Sequence, residues 1–394
     1  MGLLLGQRAG LRRRGAAARG AGALSEQPRA VEVVVDVVVV GGGQSGLATA
    51  YHLLRANRRR EVPLSYVVLD DRAEPGAAWL DGWDSLRLFS PAGYSSLPGW
   101  PMPKAPGDAN PSAAHVVDYL RAYEERYDLP VERPVHVRSV TDAGDGRLLV
   151  DAGERCWSAR AVVHATGTWS APFWPAVPGM RDFGGTQLHT RDYRGPAAYA
   201  GQRVLVVGGG NSGAQVAADL ALADVDVTWA AARPPRLLPD DVDGRRLFEL
   251  ATQRVQDPQA HEGVGSLGDV VAVPDVRRAR DERGLRAVAM PERLTATGAA
   301  WADGTAAAYD TVVWCTGFRP ALGHVTGRHE TEVPEGWDRG PHTVRSARDP
   351  RVWFVGYGDW CGPASATLIG VGMAARAAAE GIARELSSGA VEAR

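Results

Sequence analysis

The sequence predicts an α/β fold made of two dinucleotide-binding, Rossmann-like domains, with the second domain inserted into the first. A valine-rich stretch runs directly into a glycine motif at residues 41–46, and a helical pattern follows. The same order of strand, glycine motif and helix returns at residues 204–222. Strands predicted at 311–315 and 351–355 then lead into a long C-terminal helix, predicted from about Thr367 to Leu386. Each strand, glycine turn and helix in that order is the start of a βαβ nucleotide-binding unit.

Length and composition limit the class of protein. The chain has 394 residues, a net charge of −2 and 45% hydrophobic residues. At roughly 150 residues per domain this length allows two or three domains. The near-neutral charge indicates neither nucleic acid nor a membrane as a partner, and no apolar run is long enough to span a bilayer. The three cysteines form no CxxC pair, which favours a reducing compartment, and we expect a cytoplasmic protein.

The N-terminal segment differs in composition from the rest of the chain. Residues 1–32 are dominated by Ala, Gly and Arg, and we expect them to form a disordered tail. The arginines at 12–14 leave a targeting segment as the alternative. The apolar run that a secretory signal needs does not follow them, which favours the tail.

Each glycine of the first motif has a physical role. Gly41 permits a tight turn, Gly43 lets the backbone approach a pyrophosphate, and Gly46 allows the helix to pack closely on the strand. The helix N-terminus then offers unpaired N–H groups to phosphate. The next predicted strand, Tyr66–Leu69, ends at Asp70. A carboxylate there accepts hydrogen bonds from free ribose hydroxyls and repels a 2′-phosphate, so this site suits FAD or NAD.

The second motif, at residues 208–213, differs from the first at the end of its next strand. The strand predicted at 225–229 is followed by alanines and Arg233, with no acid. A guanidinium group binds phosphate through its charge and its paired donors, so this site suits NADPH. An ordinary surface arginine is the alternative for Arg233, and Arg236 could share or replace its role.

Loops and helices outside the two motifs complete the predicted organisation. Segment 75–111 is rich in proline and tryptophan, which indicates a loop. Segment 112–128 has the apolar spacing of an amphipathic helix. Segment 240–290 is polar and gives no clear pattern.

The segment from Phe183 to Tyr193, here called the fingerprint, matches the pattern FxGxxxHxxxY and lies between the two glycine motifs. This combination resembles flavin-containing monooxygenases, whose pattern covers residues 36–388. The resemblance is strongest to a bacterial subgroup often encoded in arsenic-resistance operons, through segments 83–103, 204–215, 237–249, 312–322 and 356–372. It implies FAD and NADPH as cofactors, with the NADPH domain inserted into the FAD domain. His189 of the pattern is mainly structural in that family.

The glycine motifs and the resemblance together give a set of expected cofactor-binding residues. The Thr-Gly turns at 166–167 and 316–317 resemble the family's crossing loops, and Gly358-Asp359 resembles its C-terminal pair beside FAD. The full set is Gly41, Gly43, Gln44, Ser45, Gly46, Asp70, Ala78, Trp79, Ser90, Val137, Ala165, Thr166, Gly167, Gly208, Gly210, Asn211, Ser212, Gly213, Arg233, Thr316, Gly317, Gly358, Asp359 and Thr367. Catalytic residues remain unassigned and no metal site is expected.

The predicted domains follow from the same comparison. Residues 33–178 form the first part of the FAD domain, 179–308 the fingerprint linker and NADPH domain, and 309–388 the C-terminal part of the FAD domain. A second tail is expected at 389–394.

The resemblance implies an NADPH-dependent flavin monooxygenase. One oxygen atom would pass from a flavin C4a-hydroperoxide to a soft nucleophilic centre of a small molecule, such as nitrogen, sulfur or arsenic. Substrate and O₂ are therefore the expected partners, without nucleic acid or membrane, and a homodimer is allowed. The alternatives are an FAD-dependent NADPH oxidase or reductase without oxygen transfer, and a non-catalytic flavoprotein redox sensor.

Two departures from the family pattern bear on these alternatives. Ala77 and Ala78 precede Trp79, where the family commonly has two glycines. Ser90 and Pro91 stand where classical members place an asparagine near the flavin. The second departure leaves open how a flavin–oxygen adduct would be stabilised.

Overall fold

The computed structural model describes residues 31–108, 110–240, 242, 270–325, 344–362 and 364–388. The predicted tail at 389–394 and most of the predicted tail at 1–32 lie outside these residues. The first strand begins at Val31, so the predicted boundary at 32 is two residues too late.

A mostly parallel sheet forms the first domain. In order across the sheet, its strands are β3 (Val131–Glu132), β2 (Tyr66–Leu69), β1 (Val31–Val40), β6 (Arg155–His164), β5 (Leu148–Asp151) and β4 (Ser139–Asp142). A further strand, β15 (Val352–Phe354), pairs in parallel with the C-terminal end of β6. Val37, Val38 and Val39 of β1 are fully buried, as expected for a central parallel strand.

The helices lie on the faces of the sheets. They are α1 (Gln44–Asn57), α2 (Ala113–Tyr127), α3 (Asn211–Leu222), α4 (Pro274–Glu282) and α5 (Val371–Ser388). Helix α5 packs along α1. Ser112 caps α2, where its hydroxyl accepts a hydrogen bond from His115 N at 3.2 Å. Tyr119 and Tyr123 of α2 donate 2.7 Å hydrogen bonds to carbonyls of the preceding loop, which holds that loop on the first domain.

A second, fully parallel sheet forms the other domain. Its strands in order are β10 (Ala287–Ala289), β9 (Asp226–Ala231), β8 (Arg203–Val207), β14 (Thr311–Trp314) and β7 (Thr186–His189). Helices α3 and α4 pack together beside this sheet. A small antiparallel sheet of β11 (Arg293–Thr295), β12 (Gly298–Ala300) and β13 (Ala306–Ala308) completes it.

The structure corrects the predicted return to the first domain. Strand β14 pairs with β7 and β8 of the second sheet, so the boundary predicted at 309 is several residues too early. The first strand after it in the first sheet is β15. Helix α5 begins at Val371 and not at Thr367, which lies in the turn that precedes it. Among the described residues, no helix has both the length and the apolar character needed to cross a lipid bilayer.

Candidate active site

The first glycine motif forms a turn that only glycine can occupy. Gly41 has φ +109°, and a Cβ there would lie 2.5 Å from the carbonyl oxygen of Ala165. A Cβ at Gly46 would overlap the carbonyl oxygen of Gly41. These contacts press the end of β1, the start of α1 and the first crossing loop together. The tight turn and the close packing predicted for this motif are therefore confirmed.

The second motif repeats the same contacts at equivalent positions. Gly208 has φ +146°, and a Cβ there would overlap the carbonyl oxygen of Cys315. A Cβ at Gly213 would overlap the carbonyl oxygen of Gly208. The loop at 315–317 thus packs against the second glycine turn in the same way as the loop at 165–167 packs against the first. Each crossing loop is therefore in close contact with one glycine turn.

The two sites differ where the next strand ends. A Cβ at Gly42 would meet the Asp70 carboxylate at 2.7 Å, whereas one at Gly209 would meet the Ala231 methyl group at 3.2 Å. The strand register agrees, because Gly41 N bonds Leu69 O and Gly208 N bonds Ala230 O. Ala231 therefore occupies in the second site the position of Asp70 in the first.

Arg233 is placed consistently with phosphate recognition. It follows Ala231 by two residues and is exposed. Its carbonyl oxygen lies beside Gly209 of the turn. No carboxylate stands at the strand end to repel a 2′-phosphate.

A cavity of about 850 Å³ opens at the first glycine turn. Helix α1 begins there at Gln44. The residue before it, Gly43, provides no side-chain cap in the described structure, so the first N–H groups of the helix are left for a ligand. An uncapped helix end at a large cavity fits the pyrophosphate of a dinucleotide such as FAD. The predicted residues that line the cavity are Gly41, Gly43, Gln44, Ser45, Asp70, Ala78, Trp79, Val137, Ala165, Thr166 and Gly167.

Some predicted residues lie elsewhere. Within the described chain, Gly46, Ser90, Gly358 and Thr367 are not part of the cavity wall. Gly46 has the packing role described above, and Ser90 exchanges a 2.9 Å hydrogen bond with the Ser95 hydroxyl. Thr367 accepts a hydrogen bond from Gly370 N at the start of α5. The Asp359 side chain lies outside the described part, so its contact with FAD stays a prediction.

Asp70 is buried beside Arg133, a contact that the sequence did not indicate. Its Oδ2 accepts a 2.9 Å hydrogen bond from Arg133 Nε, while its Oδ1 accepts only a 3.5 Å contact from Arg72 N. The same guanidinium binds Glu124 at 2.6 and 2.7 Å. Burial raises the pKa of Asp70, and Arg133 opposes this rise. Among the described contacts, Oδ1 is therefore the less engaged of the two carboxylate oxygens.

Three segments meet at Gln44 in the cavity wall. Its side-chain oxygen accepts a 3.2 Å hydrogen bond from Trp79 Nε1, and its amide nitrogen donates a 2.8 Å bond to Ala366 O. Gln44 thereby links the glycine turn to the turn Ala77–Asp81, which contains Trp79, and to the segment before α5. Spacing along the sequence gave no signal for this link.

The structure adds wall residues that the sequence did not indicate. They are Val40, Gly42, Leu69, Asp71, Arg72, Ala77, Val135, His136, Arg138, Thr168, Trp169, Ser170, Ala171, Pro320, Ala321, Leu322, Gly323, His324, Gly356 and Ala366. Most directly follow a crossing loop or a predicted contact, which is the signal that could have found them. His324 Nε2 lies 2.9 Å from His164 Nδ1, and burial lowers the pKa of His324 to about 4.

The second glycine turn has its own contacts. Asn211 accepts a 2.8 Å hydrogen bond from Val271 N, and Ser212 is half-buried in the first turn of α3. A Cβ at Gly210 would meet only open space. Thr316 donates a 2.6 Å bond to Phe173 O, which fixes the second crossing loop to the segment that follows the first crossing loop. The helix begins without a side-chain cap in the described residues, as α1 does.

The fingerprint segment has a structural role. His189 is fully buried, and its Nε2 lies 3.0 Å from Gly317 O in the second crossing loop. Burial lowers the pKa of His189, which keeps the ring neutral. Tyr193 donates a 2.7 Å hydrogen bond to Asp219 and packs edge-on against Trp83. These contacts support the interpretation of His189 as a positioning residue for the linker.

The three cysteines lie in surroundings that favour the protonated thiol. All three are buried and free of disulfides. Burial raises the pKa of Cys315 to about 12 and that of Cys361 to about 11. A thiol that stays protonated is a poor nucleophile.

Comparison with known proteins agrees with this geometry. The family described as "Pyridine nucleotide-disulphide oxidoreductase" matches residues 38–337. The solved structure of a flavin-containing monooxygenase from Stenotrophomonas maltophilia is 47% identical, with a TM-score of 0.78, over 90% of this chain and 99% of that one. An uncharacterized oxidoreductase, CzcO-like, from Geobacillus kaustophilus is 28% identical over 72% of this chain and 81% of its own. The indole-3-pyruvate monooxygenase YUCCA1 of Oryza sativa is 28% identical over 74% of this chain and 79% of its own.

Proposed function

The chain belongs to the flavin-containing monooxygenases, within the pyridine nucleotide-disulphide oxidoreductase family, and we propose that NADPH drives its transfer of oxygen to a soft nucleophile. The nucleophilic centre is nitrogen, sulfur or arsenic in a small molecule. The protein is an enzyme, an FAD- and NADPH-dependent oxidoreductase, and its substrates are a small molecule and O₂. The predicted family, fold class and cofactors are confirmed.

The observation that carries the proposal is the pair of equivalent glycine turns with opposite strand ends. One turn lies beside Asp70 and the 850 Å³ cavity, which suits FAD, and the other lies beside Ala231 and Arg233, which suits NADPH. When bound, NADPH supplies a hydride to FAD, and reduced FAD activates O₂ so that one oxygen atom enters the substrate and the other leaves as water.

The chain's own residues bind, orient and exclude water. Asp70 Oδ1 accepts a ribose hydroxyl, and the uncapped N–H groups of α1 bind the pyrophosphate. Gln44, held by Trp79 and Ala366, fixes the cavity wall. Trp79 and Trp169 cover part of the cavity with aromatic surface, which keeps water from the reacting atoms.

A nucleophilic substrate does not depend on an acid or a base in the cavity wall. The described wall includes Asp71, His136 and Arg138 among its titratable groups. Two further groups in it are Asp70, which is paired with Arg133, and His324, whose pKa is lowered by burial to about 4. Neither is positioned as a proton donor poised near neutral pH. A sulfide, an amine or trivalent arsenic attacks activated oxygen without such a donor.

The test measures oxygen transfer directly. The purified protein, loaded with FAD and NADPH, is supplied with ¹⁸O₂ and a panel of sulfides, amines and arsenite. We expect one labelled oxygen atom in the product for each NADPH oxidised. Indole-3-pyruvate belongs in the panel because the rice relative is named for it. NADPH oxidation that yields only labelled hydrogen peroxide would contradict oxygen transfer.

That second outcome corresponds to an NADPH oxidase, which one observation favours. Ser90 bonds Ser95 and lies outside the cavity wall, so it does not replace the family's asparagine there. The oxidase and the monooxygenase differ in the ratio of hydrogen peroxide to product, which the same experiment reports.

A further inference from the structure

Asp81 lies in the turn Ala77–Asp81, two residues beyond Trp79. Its side chain is 18% exposed and is not part of the cavity wall. It has no place in the glycine motifs or in the fingerprint. Its contacts nevertheless reach both domains.

The Asp81 carboxylate accepts hydrogen bonds from two different segments. Arg72 donates to it at 2.5 and 3.3 Å, and Trp169 Nε1 donates at 2.8 Å. Arg194 of the linker donates a 3.2 Å bond to Asp81 O, and its other terminal nitrogen lies 3.9 Å from Oδ1. Burial opposes the charge, but the Arg72 and Trp169 bonds keep the pKa of Asp81 below its ordinary value. Asp81 is therefore an anion shared by three segments.

The residues that bond Asp81 also contact the cavity wall and the second crossing loop. Arg72 and Trp169 line the FAD cavity themselves. Trp169 stacks on Phe318 with ring centres 4.8 Å apart, and Phe318 follows the second crossing loop. The His189 ring packs edge-on against Phe318 at 4.9 Å. Asp81 thus connects the cavity wall to both crossing loops and to the fingerprint.

We propose that Asp81 is a positioning residue that fixes the position of the NADPH-binding domain relative to the FAD cavity. It does so through Arg72, Trp169 and Arg194, from outside the wall of the FAD cavity. The inference rests on the proposed delivery of hydride from NADPH to FAD. Hydride transfer requires the donor and acceptor atoms to be held at close range, and a misplacement of about 1 Å can cost about 100-fold in rate. Loss of Asp81 should therefore slow reduction without weakening the binding of either cofactor.

The test is Asp81→Asn, which keeps the size of the side chain but removes its charge. The matched control is Asp36→Asn, since Asp36, in the middle of β1, is a partly buried carboxylate 3.1 Å from Arg160 and is not part of the cavity wall. We expect Asp81→Asn to retain FAD at the level of the control. Its anaerobic reduction at saturating NADPH should be roughly 10- to 100-fold slower, with the NADPH dissociation constant unchanged.

Two readouts do not depend on turnover. Chemical reduction by dithionite bypasses the NADPH domain and should proceed equally in both variants. Titration with NADP⁺ should perturb the flavin absorption spectrum less in Asp81→Asn than in Asp36→Asn, although calorimetry shows equal binding. Loss of FAD from Asp81→Asn, or an unchanged reduction rate with an unchanged spectrum, would overturn the inference. If NADPH fails to reduce the parent protein, the proposed function fails, and the NADP⁺ spectrum alone decides on Asp81.

A second variant keeps the inference testable if Asp81→Asn does not fold. Trp169→Phe removes the indole donor and keeps a ring to stack on Phe318. We expect a smaller loss in the same direction, again with FAD retained. A Trp169→Phe protein reduced at the parent rate, with the parent spectrum, would contradict the connection.

Discussion

Asp70 lies between a buried arginine and the cavity, and this position determines how its substitution should behave. In Asp70→Asn the Oδ1 acceptor stays, but the charge that strengthens a bond to a ribose hydroxyl is lost. A hydrogen bond to a charged group contributes about 1.5–3 kcal/mol, so we expect FAD to bind roughly 10- to 100-fold more weakly. Flavin fluorescence on dilution measures the release.

The control for Asp70 is its neighbour in the same ion-pair network. Glu124→Gln removes the other carboxylate bound to Arg133 without touching the cavity wall. Both variants leave Arg133 with one charged partner, so both lose similar folding stability. Equal FAD affinity in Asp70→Asn and Glu124→Gln would assign Asp70 to packing alone.

His324 makes stability depend on pH in a predictable direction. Burial, with a smaller contribution from His136, lowers its pKa from 6.5 to about 4. Between these values the unfolded chain binds a proton that the folded chain does not, so the free energy of unfolding decreases as pH falls. The decrease is about 1.4 kcal/mol per pH unit. His52 contributes in the same window, because burial lowers its pKa to about 4 as well.

Urea unfolding of FAD-saturated protein between about pH 4 and 6.5 measures this slope. His324→Gln should make this slope smaller, while the contribution of His52 remains. The control is His115→Gln, which removes another histidine ring, one that bonds Pro103 O on the exposed side of α2. A slope unaltered by His324→Gln would show that the ring titrates normally in the folded protein.

Strand and helix positions show which parts of the fold the sequence determines. Both βαβ units were predictable, because a buried valine run, a glycine turn and a helical pattern occur together in each. Strands β11 to β13 were not, since three-residue segments such as Ala306–Ala308 have too little alternation to be recognised. The sheet that contains β14 was equally hidden, because its TVVW sequence can pair with either sheet. Contacts across the chain, such as Arg133 with Asp70, have no local signal at all.

The two glycine turns allow a matched experiment on the elements. Gly41→Ala and Gly208→Ala each place a Cβ against the carbonyl of a crossing loop, at φ +109° and +146° respectively. Each carbonyl is fixed at the end of a strand, so the turn must open to relieve the contact. We expect Gly41→Ala to lose FAD. Gly208→Ala should retain FAD and bind NADPH about 10-fold more weakly or worse, given strain of about 1–3 kcal/mol.

Gly304→Ala separates collision from backbone strain. Gly304 has φ +86° in the turn after β12, and a Cβ there meets nothing within 4 Å. This variant should lose some stability and keep both cofactors. Flavin content and NADPH titration of the three proteins report the two sites separately. Release of FAD from Gly208→Ala to the same extent as from Gly41→Ala would mean that the turns are not independent.

Across the whole molecule, the two βαβ units differ in the charge at the end of their second strand. Asp70 and Ala231 are equivalent, and by the same register Arg72 and Arg233 are equivalent, two residues further on. Arg72 is committed to Asp81 at the contact between the domains. Arg233 remains exposed beside its own glycine turn. The first copy thus pairs its arginine with a carboxylate, and the second leaves its arginine exposed, where we propose that it binds a 2′-phosphate.

This difference predicts that Arg233 selects NADPH over NADH. Arg233→Ala removes a guanidinium that we propose to bind the 2′-phosphate, so the KM for NADPH should rise roughly 10- to 100-fold while that for NADH barely changes. Because Arg233 is exposed, the preference of the parent enzyme should also weaken with added salt. Arg236→Ala tests whether the neighbouring arginine shares the role, and the double variant should lose the remaining preference. Equal changes for both cofactors in Arg233→Ala would place the residue outside phosphate recognition, and the absence of a carboxylate at Ala231 would then be the whole basis for accepting NADPH.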